Sequence, residues 1–132
     1  MVHPTPPWPK NPLRTTGSAY GTTNANVKSN VKFTGKPAHA AVAPYEGLNA
    51  LDSVVLSYNG MSMLRQQTRP SDRIHSVVLE GGQRRNVITA NMMMQCYVRS
   101  ASLKGARALR ERVKNCLEGA ALATGCKVEH EV

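Results

Sequence analysis

Four polar side chains are candidates for a catalytic or binding role. The first is His39, in the segment GKPAHAA (35–41), between a predicted strand and a predicted helix. Its small neighbours allow another backbone to come close, and an imidazole there could donate a hydrogen bond to a developing negative charge. The alternative is a loop histidine that is hydrogen-bonded within its own loop.

Asn86, Arg99 and His3 are further candidates. Asn86 ends the segment EGGQRRN (80–86) and could bind a carboxylate or carbonyl, although a role in the turn also explains it. Arg99 closes a predicted strand, and its guanidinium suits bidentate binding of a carboxylate or phosphate. A solvated charge at the end of a strand is the alternative. His3 lies in a proline-rich segment without the further ligands that a zinc site needs.

The composition limits the class of protein. The 132 residues suffice for one domain, and 41% hydrophobic residues exclude wholesale disorder. The net charge of +9 first suggests a polyanionic partner. No apolar run approaches the ~20 residues of a membrane-spanning helix, and the first residues lack the apolar stretch of a signal peptide. The three cysteines include no C-x-x-C pair, so we expect buried thiols and a reducing, cytoplasmic setting.

The chain divides into a tail and one domain. Residues 1–26 hold five of the eight prolines and predict a linker or tail, whereas residues 27–132 carry regular patterns. Strict alternation predicts strands, in which every second side chain faces the core. The predicted strands are 27–34, 74–79, 92–98 and 126–132, the last at a sheet edge.

Two helices are predicted between these strands. Pro44 stands where a first-turn proline belongs, which predicts a helix over 44–67. Its apolar stripe is Leu48, Leu51, Val55 and Tyr58, the side that such a helix turns toward a core. Val54, Met61 and Leu64 widen this stripe. The second helix begins after Ser100 or Ser102 and ends at Gly125, with an apolar line at Leu109, Val113, Leu117, Ala120 and Ala121. The resulting order, β-α-β-β-α-β, predicts an α+β, ferredoxin-like fold, a four-stranded antiparallel sheet with both helices on one face.

Several motifs occur together in one order over roughly 100 residues: GKPAHAAVAPYEGLNALDSVVLSYNGMSMLRQQ, EGGQRRNVITA, YVRSAS and ALATGCKVE. In this respect the chain resembles the dimerisation (lid) domain of the metallopeptidase-20 family, which includes aminoacylases and carboxypeptidase G. Within that family it is most similar to the branch of Xaa-Arg dipeptidases and aminobenzoyl-glutamate hydrolases.

The resemblance implies roles for individual residues. His39 would reach into the partner subunit's active site and stabilise the transition state. Gly82, Asn86 and Arg99 would contact the substrate, the last two at its carboxylate end. His3 resembles a metal ligand of the catalytic domain, which in the full-length family holds zinc. The partner would be a second lid, giving a homodimer, or a catalytic domain or full-length relative.

The chain carries no match to most of the family's zinc ligands or to its general base. We therefore expect no tight zinc binding and no hydrolase activity from this chain alone, although whether it is itself an enzyme stays open. Two alternatives remain. One is a stand-alone interaction module derived from a lid. The other is a basic RNA-binding module, which the low aromatic content of 5% and the absence of stacking residues in the third strand disfavour.

Overall fold

The computed structural model describes residues 23–132, which form one four-stranded sheet and two long helices. The elements are β1 (Ala25–Thr34), α1 (Ala50–Leu64), β2 (Arg73–Glu80), β3 (Asn91–Ser100), α2 (Leu103–Thr124) and β4 (Lys127–Glu131). The strand order is β2-β3-β1-β4 with every neighbouring pair antiparallel. This is the predicted α+β, ferredoxin-like arrangement, and β4 is an edge strand as expected.

The core lies between one face of the sheet and the two helices. Alternation works as predicted in β1 and β3, whose core-facing side chains include Val31, Phe33, Met92 and Met94. The intervening residues form an outer sheet face, which neither of the two helices within residues 23–132 covers. Polar side chains dominate this outer face because it meets solvent.

Helix α2 confirms its sequence prediction. The Ser102 side chain accepts a hydrogen bond from the backbone N–H of Gly105, so Ser102 rather than Ser100 is the cap. Gly125 ends the helix in the left-handed conformation at φ 72°. All five residues of the predicted apolar line are buried: Leu109, Val113, Leu117, Ala120 and Ala121.

The predicted start of the first helix is wrong. Pro44 begins only a short 3₁₀ turn, Pro44–Glu46, and α1 begins at Ala50. Asn49 caps α1 by accepting from the backbone N–H of Leu51. Leu48 cannot be helical because its N–H and C=O both bond to Lys36, each at 2.9 Å. The residues beyond Leu64 form a second 3₁₀ turn, Arg65–Gln67.

The predicted core stripe of α1 is only partly right. Leu51, Val55 and Tyr58 are exposed, and Leu48 before the helix is exposed as well. Val54 and Met61, which widen the predicted stripe, are buried, together with the small residues Ala50, Ser53 and Ser57. Leu64 is half-buried against the same core. The small residues lie on this face because α1 packs closely on α2. The Ser53 and Thr124 hydroxyls are 2.6 Å apart, and a Cβ at Gly60 would lie 3.3 Å from Cys116 Cβ.

Two sequence predictions fall largely or wholly outside the described residues. The proline-rich segment is described only from residue 23 onward, and β1 begins at Ala25, two residues before the predicted strand. His3 lies outside residues 23–132. Within that range no helix is both long and apolar enough to cross a membrane.

Candidate functional site

The His39 loop is held against the loop that joins β2 to β3. Backbone hydrogen bonds run from Ile88 N–H to Ala38 C=O (2.9 Å) and from Ala40 N–H to Asn86 C=O (3.1 Å). These two bonds flank His39, which pairs with Val87 as a short antiparallel bridge. The structure therefore brings His39 and Asn86, two of the sequence candidates, to one end of the sheet.

The local hydrogen bonds define the tautomer of the His39 ring. Nδ1 accepts from the backbone N–H groups of Ala41 (3.3 Å) and Val42 (3.2 Å). A neutral imidazole whose Nδ1 accepts carries its proton on Nε2. The exposed side chain can thus present an Nε2–H donor outward, which is the chemistry needed to stabilise a developing negative charge. The alternative, a histidine that is hydrogen-bonded within its own loop, is correct for Nδ1. The local hydrogen bonds of the loop do not involve Nε2.

The loop after β2 requires glycine at position 82. Gly82 has φ 97°, and a Cβ there would lie 2.7 Å from Thr89 Oγ1. This loop lines a cleft of ≈ 570 Å³ together with Pro37, at the foot of the His39 loop. Asn86 is exposed in the same loop. His39 and Asn86 are not among the residues that line this cleft.

Arg99 lies far from these two residues. It stands on the outer face near the end of β3, whereas the Asn86 loop precedes Asn91 at its beginning. Eight residues of strand separate Asn91 from Arg99, about 27 Å at the usual rise. Within one chain, Arg99 therefore cannot share a small ligand with His39 and Asn86.

Tyr97 accompanies Arg99 on the outer sheet face. Arg99 Nη2 donates to Tyr97 Oη at 3.2 Å, and the guanidinium carbon lies 4.8 Å from the ring centroid. Tyr97 was not among the site residues predicted from the sequence. The alternation of β3 could have indicated it, because alternation places Tyr97 and Arg99 on the same face of the strand.

An apolar surface along α1 and β2 was also missed. It consists of Leu51, Val55 and Tyr58 on α1 and of Val78 and Leu79 on β2, all exposed, and is here called the α1–β2 surface. The sequence signal was a second set of helically spaced small residues in α1. That set competes with the larger apolar stripe for the buried side.

The described residues do not fit a zinc ion. Within residues 23–132 no group of three or more His, Cys, Asp or Glu side chains could hold a metal. The cysteines there are free, and burial raises the pKa of the Cys96 thiol to about 11, which keeps it protonated and unsuited to metal binding at neutral pH. Cys96 and Cys126 are buried as predicted, and Cys116 is half-buried.

Comparison with known proteins agrees with this fold. An aminobenzoyl-glutamate utilization protein from Klebsiella pneumoniae superposes with a TM-score of 0.75 at 24% identity, covering 83% of this chain and 28% of that one. The aminopeptidase PepT of Bacillus cereus gives a TM-score of 0.70 at 21% identity, covering 82% and 28%. At these identities the likeness establishes the fold: an α+β module that forms one part of larger proteins.

Sequence comparison defines the family. A family profile described as peptidase dimerisation domain matches residues 22–124, so the chain belongs to the peptidase dimerisation domain family. The Xaa-Arg dipeptidase of Mus musculus is 44% identical over 101 residues, 76% of this chain and 23% of the relative. A p-aminobenzoyl-glutamate hydrolase polypeptide of Escherichia coli is 33% identical over 108 residues, 81% of this chain and 22% of the relative. The chain thus spans less than a quarter of the length of these relatives.

Proposed function

We propose that this chain is the dimerisation and lid domain of a metal-dependent amidohydrolase or peptidase that cleaves acyl-amino acids or dipeptides. Residues 27–132 would be the lid, and residues 1–26 a tail at the junction with a catalytic domain. The observation that carries the proposal is the exposed α1–β2 surface in a chain of the dimerisation family. The zinc would be held by the catalytic domain, with His3 as one ligand, and this chain alone would be inactive.

The α1–β2 surface suits a second copy of the chain. Helix α2 packs against β3, β1 and β4, whereas α1 packs against β3 and β1. In the turn that follows α1, Arg65 Nε donates to the Ile74 C=O of β2. Helical geometry places Leu51, Val55 and Tyr58 on the flank of α1 that faces away from α2. These three side chains therefore lie on the same side of the molecule as the edge strand β2.

Strand β2 is itself an open edge. An edge strand presents unpaired backbone N–H and C=O groups, which a second strand can satisfy. In an antiparallel pair of two β2 strands, Arg73 at the first residue of one copy would lie near Glu80 at the last residue of the other. These opposite charges and the flanking apolar side chains favour pairing of two copies in one continuous sheet.

Sedimentation equilibrium of charge variants tests this interface. Val55, 50% exposed in the α1 stripe, becomes glutamate in one variant, and Leu122, 85% exposed on α2, becomes glutamate in the control. We expect Val55→Glu to raise the dimer dissociation constant by ~100-fold or more, because a charge would be buried in an apolar contact. Leu122→Glu should leave the dimer intact. A monomeric wild-type protein, or equal effects of the two variants, would contradict the proposal.

The separation of the candidate residues bears on how a site would be shared. Since Arg99 lies about 27 Å along β3 from Asn91, at the end of the sheet where the His39 loop lies, one substrate could meet Arg99 and His39 only if they come from different subunits. We propose that Arg99 and the catalytic domain come from one subunit, while His39 and Asn86 come from the other. Asn86 and Arg99 would bind the substrate carboxylate, and His39 Nε2–H would stabilise the tetrahedral intermediate.

Mixing experiments with a full-length chimera test the shared site. Residues 23–132 replace the matching lid of the mouse Xaa-Arg dipeptidase, and His39→Ala and Arg99→Ala variants are prepared separately. Loss of a donor at a developing oxyanion predicts a ~10²–10³-fold fall in kcat for His39→Ala. Mixed and re-paired, the two variants should recover about a quarter of the wild-type activity, because half of the dimers carry one intact site.

No recovery in confirmed mixed dimers would show that His39 and Arg99 do not serve one site from two subunits. Full activity of the His39→Ala chimera by itself would remove the catalytic role of His39. An inactive wild-type chimera would count against the lid function itself.

A further inference from the structure

The Arg99 guanidinium makes two different contacts with one neighbouring residue, Tyr97. The Tyr97 hydroxyl accepts a hydrogen bond from Arg99 Nη2 at 3.2 Å, and the guanidinium carbon lies 4.8 Å from the centroid of the Tyr97 ring. A hydrogen bond and a cation–π contact to the same residue restrain both the position and the tilt of the guanidinium plane. An unrestrained exposed arginine would sample many rotamers.

Tyr97 is itself fixed by the strands on either side. It is half-buried at the centre of the sheet, opposite Lys28 on β1 and His75 on β2. Lys28 Nζ lies 5.7 Å from the Tyr97 centroid, and the His75 ring is 6.3 Å away and tilted by 40°. These neighbours on both adjacent strands restrict the position of the Tyr97 ring, whereas the Arg99 side chain is exposed.

The contact with Tyr97 leaves most of the Arg99 donors available. A guanidinium has five N–H donors, and the Tyr97 hydroxyl takes up one of them. Among the salt bridges within residues 23–132, none involves Arg99, Lys28 or Arg73. A pre-oriented guanidinium with free donors is suited to a carboxylate. Lys28, which also lies over the Tyr97 ring, adds a second positive charge on this face.

We propose that Tyr97 is a positioning residue that pre-orients Arg99 for binding the carboxylate of an N-acylated amino acid. This rests on the proposed role of Arg99 in carboxylate binding and adds the residue through which that role is achieved. Orienting the guanidinium before binding reduces the rotamer entropy lost when the carboxylate arrives. Tyr97 acts on affinity through Arg99 and does not touch the carboxylate.

NMR titration of this chain tests the proposal, with N-acetylglycine as probe and N-acetylglycinamide as the uncharged control at constant ionic strength. We expect the carboxylate probe alone to shift the β3 amide signals around Arg99. Tyr97→Phe keeps the ring and loses the hydroxyl, so the dissociation constant should rise ~3-fold. Tyr97→Leu loses both contacts, and the constant should rise ~10-fold. Arg99→Gln should abolish the shifts.

Lys32→Gln is the matched control. Lys32 is exposed on the same outer face of the sheet, on β1 opposite Met93, near the other end of β3. The variant removes the same single positive charge, so an unchanged dissociation constant there excludes a general charge effect. We expect the dissociation constant to increase in the order wild type, Tyr97→Phe, Tyr97→Leu, while the spectra of all three proteins remain native. A merely structural role of Tyr97 would not produce this pattern.

The outcomes separate the two proposals. Wild-type affinity in Tyr97→Leu, with binding lost in Arg99→Gln, would overturn the positioning role and leave Arg99 as the carboxylate group. Wild-type affinity in Arg99→Gln would overturn the carboxylate role of Arg99 itself. Equal shifts with N-acetylglycine and N-acetylglycinamide would show that no carboxylate site is pre-assembled on this face.

Discussion

At His39, the backbone rather than another side chain sets the chemistry. The backbone N–H groups of Ala41 and Val42 both donate to Nδ1, which leaves the proton on Nε2. The type of residue was evident in the sequence, but the tautomer required the turn.

His130 is the least exposed histidine of the described residues and predicts a pH dependence. Its side chain on β4 is 14% exposed, with Nε2 3.7 Å from Glu118 Oε1. Burial lowers the pKa of His130, more than the Glu118 carboxylate raises it, and Lys114 on the same helix lowers it further. In the unfolded chain the pKa returns to about 6.5. The unfolded state therefore binds the proton more readily, and stability present above that pH is lost as the pH falls below it.

We expect the free energy of unfolding of the wild-type chain to decrease from about pH 7 to pH 5, with a smaller decrease in His130→Leu. Urea denaturation at several pH values measures both. His75→Leu on the exposed sheet face removes a histidine that is not buried, so the wild-type pH dependence should persist there. Identical pH profiles for wild type and His130→Leu would show that another group is responsible.

Among the elements, α1 shows how a helix can carry two apolar faces. One face packs on α2 and the sheet and consists of three small residues with Val54 and Met61, and the other carries Leu51, Val55 and Tyr58. The spacing alone predicted the larger stripe as the core, since large apolar side chains usually contribute most to burial. Close packing of α1 on α2 excluded them, because only small residues fit between the two helices.

The start of α1 is determined by a cap that the sequence analysis did not identify. Asn49 Oδ1 accepts from Leu51 N–H at 3.1 Å, and its side-chain amide donates to Asp52 at 2.9 Å. We expect Asn49→Ala to lower the free energy of unfolding by about 1 kcal/mol. Asn59→Ala, at an exposed position within the same helix, should be neutral or slightly stabilising. Chemical denaturation compares them, and equal losses would mean that the cap contributes nothing.

For the whole molecule, the uncovered α1–β2 surface is the main consequence of the fold. An apolar helix flank beside an open strand edge is a liability in a monomer, because both favour association. In a chain of the peptidase dimerisation family, the proposed pairing of two copies would cover this surface. Stability and assembly should then be coupled.

That coupling predicts a concentration-dependent melting temperature. If two chains pair, each tenfold rise in protein concentration should raise Tm by roughly 2–5 °C. The Val55→Glu variant should melt at a temperature that does not depend on concentration. Differential scanning calorimetry over two decades of concentration measures this. A constant wild-type Tm would indicate that the fold is stable without a partner and that pairing adds nothing.

The sequence by itself determined the β-α-β-β-α-β order, the core faces of β1 and β3, and the core face and end of α2. These follow from local periods and from a glycine cap that have one consistent solution. Residue type and context also made His39, Asn86 and Arg99 the candidate site residues. Only the tertiary structure decided which face of α1 is buried, that the His39 and Asn86 loops meet, and that Arg99 lies at the other end of β3. Each depends on contacts between segments distant in the chain, which a local pattern cannot specify.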